Sequence, residues 1–440
     1  MSSKTILFAM LDESGHLNPT FKLAKTLKAR GHDVRYLAVA DLAPMLEAQG
    51  FSVEVLLPEL FPKGGRAAEQ RLGMLAQRRA ITRRYRALLD HLRTAAPFDL
   101  TQVPPDLMLV DVTQPHFALW ARSRGVPFLH INTSLPQTKD AGVPPLRSGE
   151  PYGEAGLGRL RAELSWARFL AKRRVSAEIA RAAGMCPPYE MARREAPTFS
   201  LPRRALDWRT IYMPQLRGVP ELVLCPEAFD FPRAARPDRH YVESIDLGRR
   251  ETQLDPALLP SDKPLVYCAF GGQRYRVDDK RQFFVKLLSV MRERPSWHLL
   301  LALSRQLHES ELGIVPPNVT IVESAPQLSI LRRAQVMITH AGLGSVKECI
   351  LHGVPMLTVP LDIDQPGNAA RVVHHGLGLR ADVLATPERV LLEQLEQLMF
   401  EQPFRERIRA MQARFRLVEQ AQHGADVVEA RLPGARVAAG

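Results

Sequence analysis

A histidine and an aspartate that each follow a buried strand could act together as a general base. His16 comes soon after the apolar run 5–11, and Asp111 closes the strand-like segment 106–112. The carboxyl ends of parallel strands share one edge of a sheet, where ligands bind. A carboxylate that orients an imidazole makes it a better base for a hydroxyl proton. The alternative is a histidine that only packs or caps in a Gly-His turn.

A glycine-rich segment, HAGLGS, follows another strand-like run and opens a predicted helix. Gly342 and Gly344 let a ligand approach the free backbone N–H groups of a helix N-terminus, which bind phosphate. His340 and the Ser345 hydroxyl add donors, and Glu348 can accept hydrogen bonds from ribose hydroxyls. The alternative is a tight turn capped by the serine.

A carboxylate and an amide, Asp364 and Gln365, follow the strand-like run 355–361. The carboxylate accepts hydrogen bonds, whereas the amide both donates and accepts, which suits the vicinal hydroxyls of a sugar. The alternative is that Asp364 caps the helix that Pro366 starts.

Alternating strands and helices must position these residues. Continuous apolar runs, typical of strands buried on both faces of a parallel sheet, alternate with helical patterns in both halves of the chain. The pattern predicts an α/β protein with two doubly wound halves. No G-x-G-x-x-G follows the first strand, so the nicotinamide and flavin fingerprint is missing.

The composition is that of an ordinary globular protein. The 440 residues are 45% hydrophobic and 24% charged, which excludes a disordered chain. No apolar run approaches the length of a membrane span. The four cysteines lie far apart, which predicts a reducing cytoplasm and neither a disulfide framework nor a zinc site.

The excess of positive charge is the one unusual feature of the composition. The formal net charge is +12, and 48 of the 59 basic residues are arginine. Residues 157–217 carry 13 arginines and lysines against 5 acidic residues. A phosphorylated ligand, nucleic acid, an anionic membrane and a merely solvated surface are all open from charge alone.

Two segments together resemble family 1 glycosyltransferases of the GT-B fold. The stretch from Ala325-Pro-Gln through THAGLGSVKECILHGVPMLTVPLDIDQPGNAA is similar to the donor-binding signature of that family. The segment GHLNP resembles its N-terminal loop, which carries the catalytic histidine. The resemblance is greatest to the zeaxanthin glucosyltransferase and bacterial macrolide branches.

The resemblance implies two Rossmann-like domains facing a cleft. We expect an N-terminal, acceptor-binding domain over 1–226 and a linker over 227–262. A nucleotide-sugar-binding domain over 263–405 then follows. The helical segment 406–440 is expected to pack back on the N-terminal domain.

The resemblance also implies an inverting transfer of a hexose, with glucose expected. His16, held by Asp111, would deprotonate the acceptor hydroxyl, which attacks the anomeric carbon of a nucleotide-diphosphate sugar. The diphosphate would leave onto the HAGLGS loop and the turn at Gly272. No metal or other cofactor is implied, since the helix N-terminus and His340 stabilise the leaving charge.

The remaining donor contacts follow from the same resemblance. The backbone of Ala325 and the side chain of Gln327 would hold the nucleoside, Glu348 the ribose, and Asp364 and Gln365 the sugar. Ser324 stands where the family has an aromatic residue that stacks on the base. A UDP-sugar is expected rather than a dTDP-sugar.

The acceptor is expected to be a largely apolar small molecule with a hydroxyl group, such as a polyketide or carotenoid. A lipid or sterol acceptor reached from the membrane surface and an inactive helper subunit are the alternatives. No nucleic-acid motif is present. We expect a bacterial cytoplasmic enzyme and leave open a peripheral contact between its basic region and the anionic inner face of the membrane.

Overall fold

Two parallel β-sheets, each flanked by helices, form the two halves of the protein. The computed structural model describes residues 3–65, 68, 74–96, 101–248, 259–260, 262–272, 276–304 and 307–434. The central strands of both sheets are mostly buried, because helices cover both faces of a parallel sheet. The α/β class and the two doubly wound halves predicted from the sequence are confirmed.

The first sheet has seven parallel strands in the order β3-β2-β1-β4-β5-β8-β9. Its strands are β1 (Thr5–Ala9), β2 (Asp33–Ala38), β3 (Ser52–Val55), β4 (Leu107–Asp111), β5 (Phe128–Asn132), β8 (Glu221–Val223) and β9 (Arg239–Tyr241). The strand order reverses between β1 and β4, which pair directly. Such a switch point opens a crevice at the carboxyl ends of the two strands.

The second sheet has six parallel strands in the order β12-β11-β10-β13-β14-β15. Its strands are β10 (Leu265–Ala269), β11 (His298–Ala302), β12 (Val319–Val322), β13 (Val336–Thr339), β14 (Met356–Thr358) and β15 (Gly378–Arg380). Here the order reverses between β10 and β13. The loops after these two strands therefore share the second crevice.

A short antiparallel pair and fourteen helices complete the described residues. The pair consists of β6 (Leu206–Asp207) and β7 (Gln215–Leu216). The helices are α1 (Ser14–Leu17), α2 (Phe21–Ala29), α3 (Ala43–Ala48), α4 (Met74–Thr94), α5 (Pro115–Arg124), α6 (Gly156–Ala182), α7 (Pro188–Glu195), α8 (Val277–Arg292), α9 (Gln327–Leu331), α10 (Leu343–His352), α11 (Gln365–His374), α12 (Glu388–Phe400), α13 (Gln402–Ala421) and α14 (His423–Glu429). In these described ranges no helix is long and apolar enough to cross a membrane.

The segment expected to be a linker contributes a strand to the first sheet. β9 lies within 227–262 and pairs with β8, so this sheet extends past residue 226. The sequence Arg-His-Tyr lacks the apolar run of the other strands. Its arginine is neutralised on the neighbouring strand, where Nε of Arg239 lies 3.2 Å from Oε2 of Glu221.

The C-terminal helices connect the second half back to the first. α13 packs on α10, and Glu419 near its end accepts hydrogen bonds from the backbone N–H groups of Ser244 (3.0 Å) and Ile245 (3.2 Å). Nζ of Lys22 on α2 lies 2.6 Å from the same carboxylate. α14 then packs on α2, and its apolar residues join the core of the first half.

A fully buried ion pair also joins the two halves. Nε of Arg371 on α11 donates to Oδ1 of Asp230 over 2.8 Å, and Nε of Arg233 donates to Oδ2 over 2.6 Å. Burial alone would raise the pKa of Asp230, but the two guanidinium groups hold it well below its ordinary value.

Removal of Arg371 should therefore destabilise the protein strongly. The Arg371→Ala variant leaves the buried carboxylate of Asp230 with only one of its two guanidinium partners, which costs about 3–5 kcal/mol. Arg389→Ala is the matched control, because Arg389 and Glu393 form an exposed pair worth less than about 1 kcal/mol. Thermal and denaturant unfolding measure both variants. Equal destabilisation by the two would contradict the role assigned to the buried pair.

Candidate active site

His16 is positioned by a short helix at the crevice of the first sheet. The alternative considered from the sequence was a Gly-His turn at this position. The structure instead has the one-turn helix α1, a 3₁₀ turn over Asn18–Thr20 and then α2. The helical turn holds the imidazole over the end of β4.

The imidazole of His16 is bound to the carboxylate of Asp111. Nδ1 lies 2.7 Å from Oδ2, and because a carboxylate only accepts, Nδ1 carries the proton. Asp111 is itself fixed, since its Oδ1 accepts from the backbone N–H (2.9 Å) and the hydroxyl (2.8 Å) of Thr113. The hydroxyl of Thr133 lies 3.0 Å from the same Nδ1. Nε2 is thus the ring nitrogen that can accept a proton from a substrate hydroxyl.

The electrostatics of the pair suit a base that works near neutral pH. Burial alone would lower the pKa of His16, but the carboxylate of Asp111, with smaller contributions from Glu13 and Asp364, raises it above 6.5. Burial alone would raise the pKa of Asp111, but His16 and Thr113 lower it below 3.8. Asp111 therefore stays ionised while His16 gains and loses a proton.

The rate of any reaction that uses His16 as a base should rise with pH. The protonated ring cannot accept a proton, so kcat/KM should increase through an apparent pKa above 6.5. In Asp111→Asn the charge that raises this pKa is gone while burial remains. The rising limb should then move to lower pH, and the limiting rate should fall because the ring is poorly oriented. A profile that keeps its midpoint in Asp111→Asn would contradict this account.

The second crevice holds His340 between two glycines. A Cβ at Gly271 would lie 3.0 Å from Cε1 of His340, and a Cβ at Gly342 would lie 2.7 Å from Nε2. Added Cβ atoms at Gly272 and Gly344 would meet nothing within 4 Å, so the backbone is open there. The loop is thus built around the ring and leaves room for a ligand.

The His340 ring is neutral and one of its nitrogens has no protein partner. Burial, with a smaller effect of Lys280, lowers its pKa to about 4. Its buried Nδ1 has no hydrogen-bond partner in the described part of the chain. A buried polar atom without a partner is costly, and a bound ligand would satisfy it.

The residues expected to hold the nucleoside are brought together beside this loop. Nε2 of Gln327 donates to Oε2 of Glu348 over 2.6 Å and to the hydroxyl of Ser345 over 3.1 Å. Ala325, three residues after β12, is half-buried, whereas Ser324 is exposed. Ser345 does not cap its helix with its side chain.

Asp364 faces His16 across the cleft between the two halves. Its Oδ2 accepts from the hydroxyl of Ser134 in the first half (3.1 Å) and from Nδ2 of Asn368 (3.1 Å). Burial raises the pKa of Asp364 above its ordinary value. Asp364 makes no side-chain cap hydrogen bond to α11, so the capping alternative does not describe it.

Gln365 is placed differently from its expected role. Its Oε1 accepts from the backbone N–H groups of Leu361 (2.9 Å) and Asp362 (3.1 Å), so the carbonyl closes its own loop. The side chain is buried. A sugar contact from Gln365 would have to come from its amide nitrogen.

Three further polar residues of the site were missed in the sequence. Thr133 and Ser134 directly follow β5 at the crevice edge, and Asn368 lies one helical turn after Asp364. Their positions after a strand and along a helix face were signals that could have found them. Asp12 and Glu13, beside His16, are half-buried.

Comparison with known proteins places this arrangement among glycosyltransferases. Residues 305–414 match the family model described as UDP-glucoronosyl and UDP-glucosyl transferase. The chain is 27% identical to a zeaxanthin glucosyltransferase of Pantoea ananas, over 94% of this chain and 93% of that one. It is 28% identical to an oleandomycin glycosyltransferase of Streptomyces antibioticus, over 95% and 89%.

The fold agrees with a solved glycosyltransferase structure. The crystal structure of the glycotransferase of kitacinnamycin superposes with a TM-score of 0.72 at 23% identity, over 98% of this chain and 99% of that one. This similarity shows the fold, and the sequence relatives cover both halves. The resemblance predicted from the sequence is therefore confirmed, and the chain is a glycosyltransferase with the GT-B fold.

Proposed function

We propose that the chain transfers a hexose, with glucose the first candidate, from a UDP-sugar to a hydroxyl of a largely apolar small molecule, with inversion at the anomeric carbon. The single observation that carries this proposal is the His16–Asp111 pair of one half, which faces Asp364 of the other half, where Asn368 joins Asp364 to the HAGLGS loop. A base and a leaving-group site on opposite walls of a cleft suit one in-line displacement.

The reaction begins with the acceptor hydroxyl against Nε2 of His16. Its oxygen attacks the anomeric carbon as its proton passes to Nε2, and the bond from that carbon to the diphosphate oxygen breaks. The electron pair leaves with the diphosphate, and Asp111 remains ionised and stabilises the imidazolium. The product carries the sugar in the opposite anomeric configuration.

The HAGLGS loop provides the site for the leaving diphosphate. Backbone N–H groups at the start of α10 and the ring of His340 would donate to its oxygens. The neutral ring acts as a hydrogen-bond donor, so this chemistry needs no positive side chain. Ser345, Glu348 and Gln327 lie where the ribose and base would extend.

The sugar would occupy the space beside Asp364. In the structure the hydroxyl of Ser134 donates to this carboxylate, which is the hydrogen bond that a sugar hydroxyl would make. The relatives named above are a carotenoid and a macrolide glycosyltransferase by their names. These names support an apolar hydroxylated acceptor for this chain.

Mass spectrometry of the products tests the proposal. The full chain is incubated with a panel of UDP- and dTDP-sugars and with hydroxylated polyketides, carotenoids and flavonoids. We expect the mass increase of a hexose on at least one acceptor, with UDP-glucose the best donor. If the chain showed neither sugar transfer nor slow donor hydrolysis with any of the sugars, the proposal would be overturned and a helper subunit would be favoured.

A further inference from the structure

Helix α6 presents a long apolar stripe to solvent. Its exposed aliphatic residues are between 53% and 74% accessible and lie at spacings of three, four, seven and eleven residues, so they share one side of the helix: Leu157, Leu160, Leu164, Val175 and Ile179. Between Leu164 and Val175 the same line contains exposed Ala171 and Arg168, whose guanidinium lies 2.8 Å from the carboxylate of Glu150 and so interrupts the stripe at its middle. The helix has 27 residues and is about 40 Å long. An apolar stripe of this length on a surface indicates an interaction site.

Basic residues border this stripe on both sides. α6 carries seven arginines and lysines against two glutamates. Arg161 and Lys172 lie on one side of the stripe and Arg174 on the other, and these three have no ion-pair partner within the described residues. Both glutamates are neutralised, Glu163 by Lys139 and Glu178 by Arg181.

The opposite side of α6 is fixed to the acceptor side of the cleft. Trp166 is buried and its Nε1 donates to the carbonyl of Val143 over 2.8 Å. The segment between β5 and α6 contains both Val143 and Ser134, which contacts Asp364. The stripe therefore belongs to a rigidly held helix whose preceding segment borders the candidate sugar site.

We infer that the exposed face of α6 docks on an anionic phospholipid surface. An apolar stripe between rows of arginine and lysine matches acyl chains below anionic headgroups, as in helices that lie in the membrane interface. A second copy of this chain is the less favourable occupant, because pairing two such faces would bring basic rows together. Docking itself does not depend on the reaction. If the proposed function holds, docking brings the acceptor side of the cleft close to a membrane in which apolar acceptors dissolve.

Vesicle flotation with the full chain tests this inference. The probes are vesicles of phosphatidylcholine alone and of phosphatidylcholine mixed with phosphatidylglycerol, each at low and high salt. Leu160→Gln/Val175→Gln alters the stripe, and Arg161→Gln/Lys172→Gln/Arg174→Gln alters its borders. Ile314→Gln/Leu417→Gln is the matched control, since both residues are exposed aliphatics away from α6.

We expect the wild-type chain and the control to float with the phosphatidylglycerol vesicles at low salt and to be released at high salt. Both α6 variants should bind these vesicles at least about tenfold more weakly than the wild-type chain. No flotation of the wild-type chain at low salt, or equal binding by stripe variant and control, would overturn the inference. It would equally be overturned if the stripe variant changed only the oligomeric mass in light scattering, because the occupant would then be a second copy. Because flotation needs no turnover, its failure is separate from failure of the proposed function.

Discussion

His16→Ala should lower the rate of sugar transfer by about 10²–10⁴-fold without loss of donor binding. The imidazole is the group that the structure places at the crevice with Nδ1 bound to a buried carboxylate and Nε2 left for the acceptor. Without it, water must take the acceptor proton. Steady-state kinetics with a saturating acceptor measure the rate, and calorimetry with UDP-glucose measures donor affinity.

His32→Ala is the matched control for this variant. His32 also follows a glycine; it is buried, and its Nε2 lies 3.1 Å from Oε1 of Glu429. It precedes β2 at the opposite edge of the first sheet, away from the cleft. Its loss should lower stability but leave the rate of transfer near that of the wild-type chain. A near-wild-type rate for His16→Ala would refute the role of His16 as the base.

His340→Ala should weaken donor use by about 10²–10³-fold in kcat/KM, with a clear loss of donor affinity. The ring is held by Gly271 and Gly342, and its Nδ1 has no partner among the described residues. Because its pKa is lowered to about 4, it donates a hydrogen bond as a neutral ring at neutral pH. The loss should therefore be the same from pH 6 to pH 9. Donor titrations and initial rates at several pH values measure it.

His352→Ala is the control on the same helix. His352 ends α10, and its Nδ1 is 2.9 Å from the carbonyl of Glu348, so it contacts its own helix rather than the loop. We expect donor affinity to be unchanged in this variant. If His340→Ala and His352→Ala bound UDP-glucose equally well, the loop would not be the diphosphate site.

The two main variants should therefore separate the two walls of the cleft. His16→Ala should bind the donor and fail in transfer, whereas His340→Ala should fail already in donor binding. If the two halves did not form one site with separate roles, the two variants would not lose transfer and donor binding separately.

The fold could be predicted because the central strands of both sheets are buried. Runs such as 107–110 and 336–338 are continuously apolar, and their alternation with helical patterns specifies a parallel sheet. β9 was missed because its three residues are polar and are held by an ion pair with β8.

The parts of the candidate site that could be predicted are those for which the residue types of a single segment indicate the role. His16, Asp111 and the HAGLGS loop each follow a strand, and the structure places them at the two crevices. The hydrogen bond between Ser134 and Asp364 could not be predicted, because it depends on how the two halves face each other. The carbonyl of Gln365 is used by its own loop, a detail of backbone geometry that residue type does not reveal.

The anomeric configuration of the product tests the central claim most directly. The full chain is supplied with UDP-α-glucose and the best acceptor from the panel, and the glycoside is examined by proton NMR. A single in-line displacement assisted by His16 predicts a β-glucoside. An α-glucoside would contradict the account, because it requires retention and hence a different arrangement of base and leaving group.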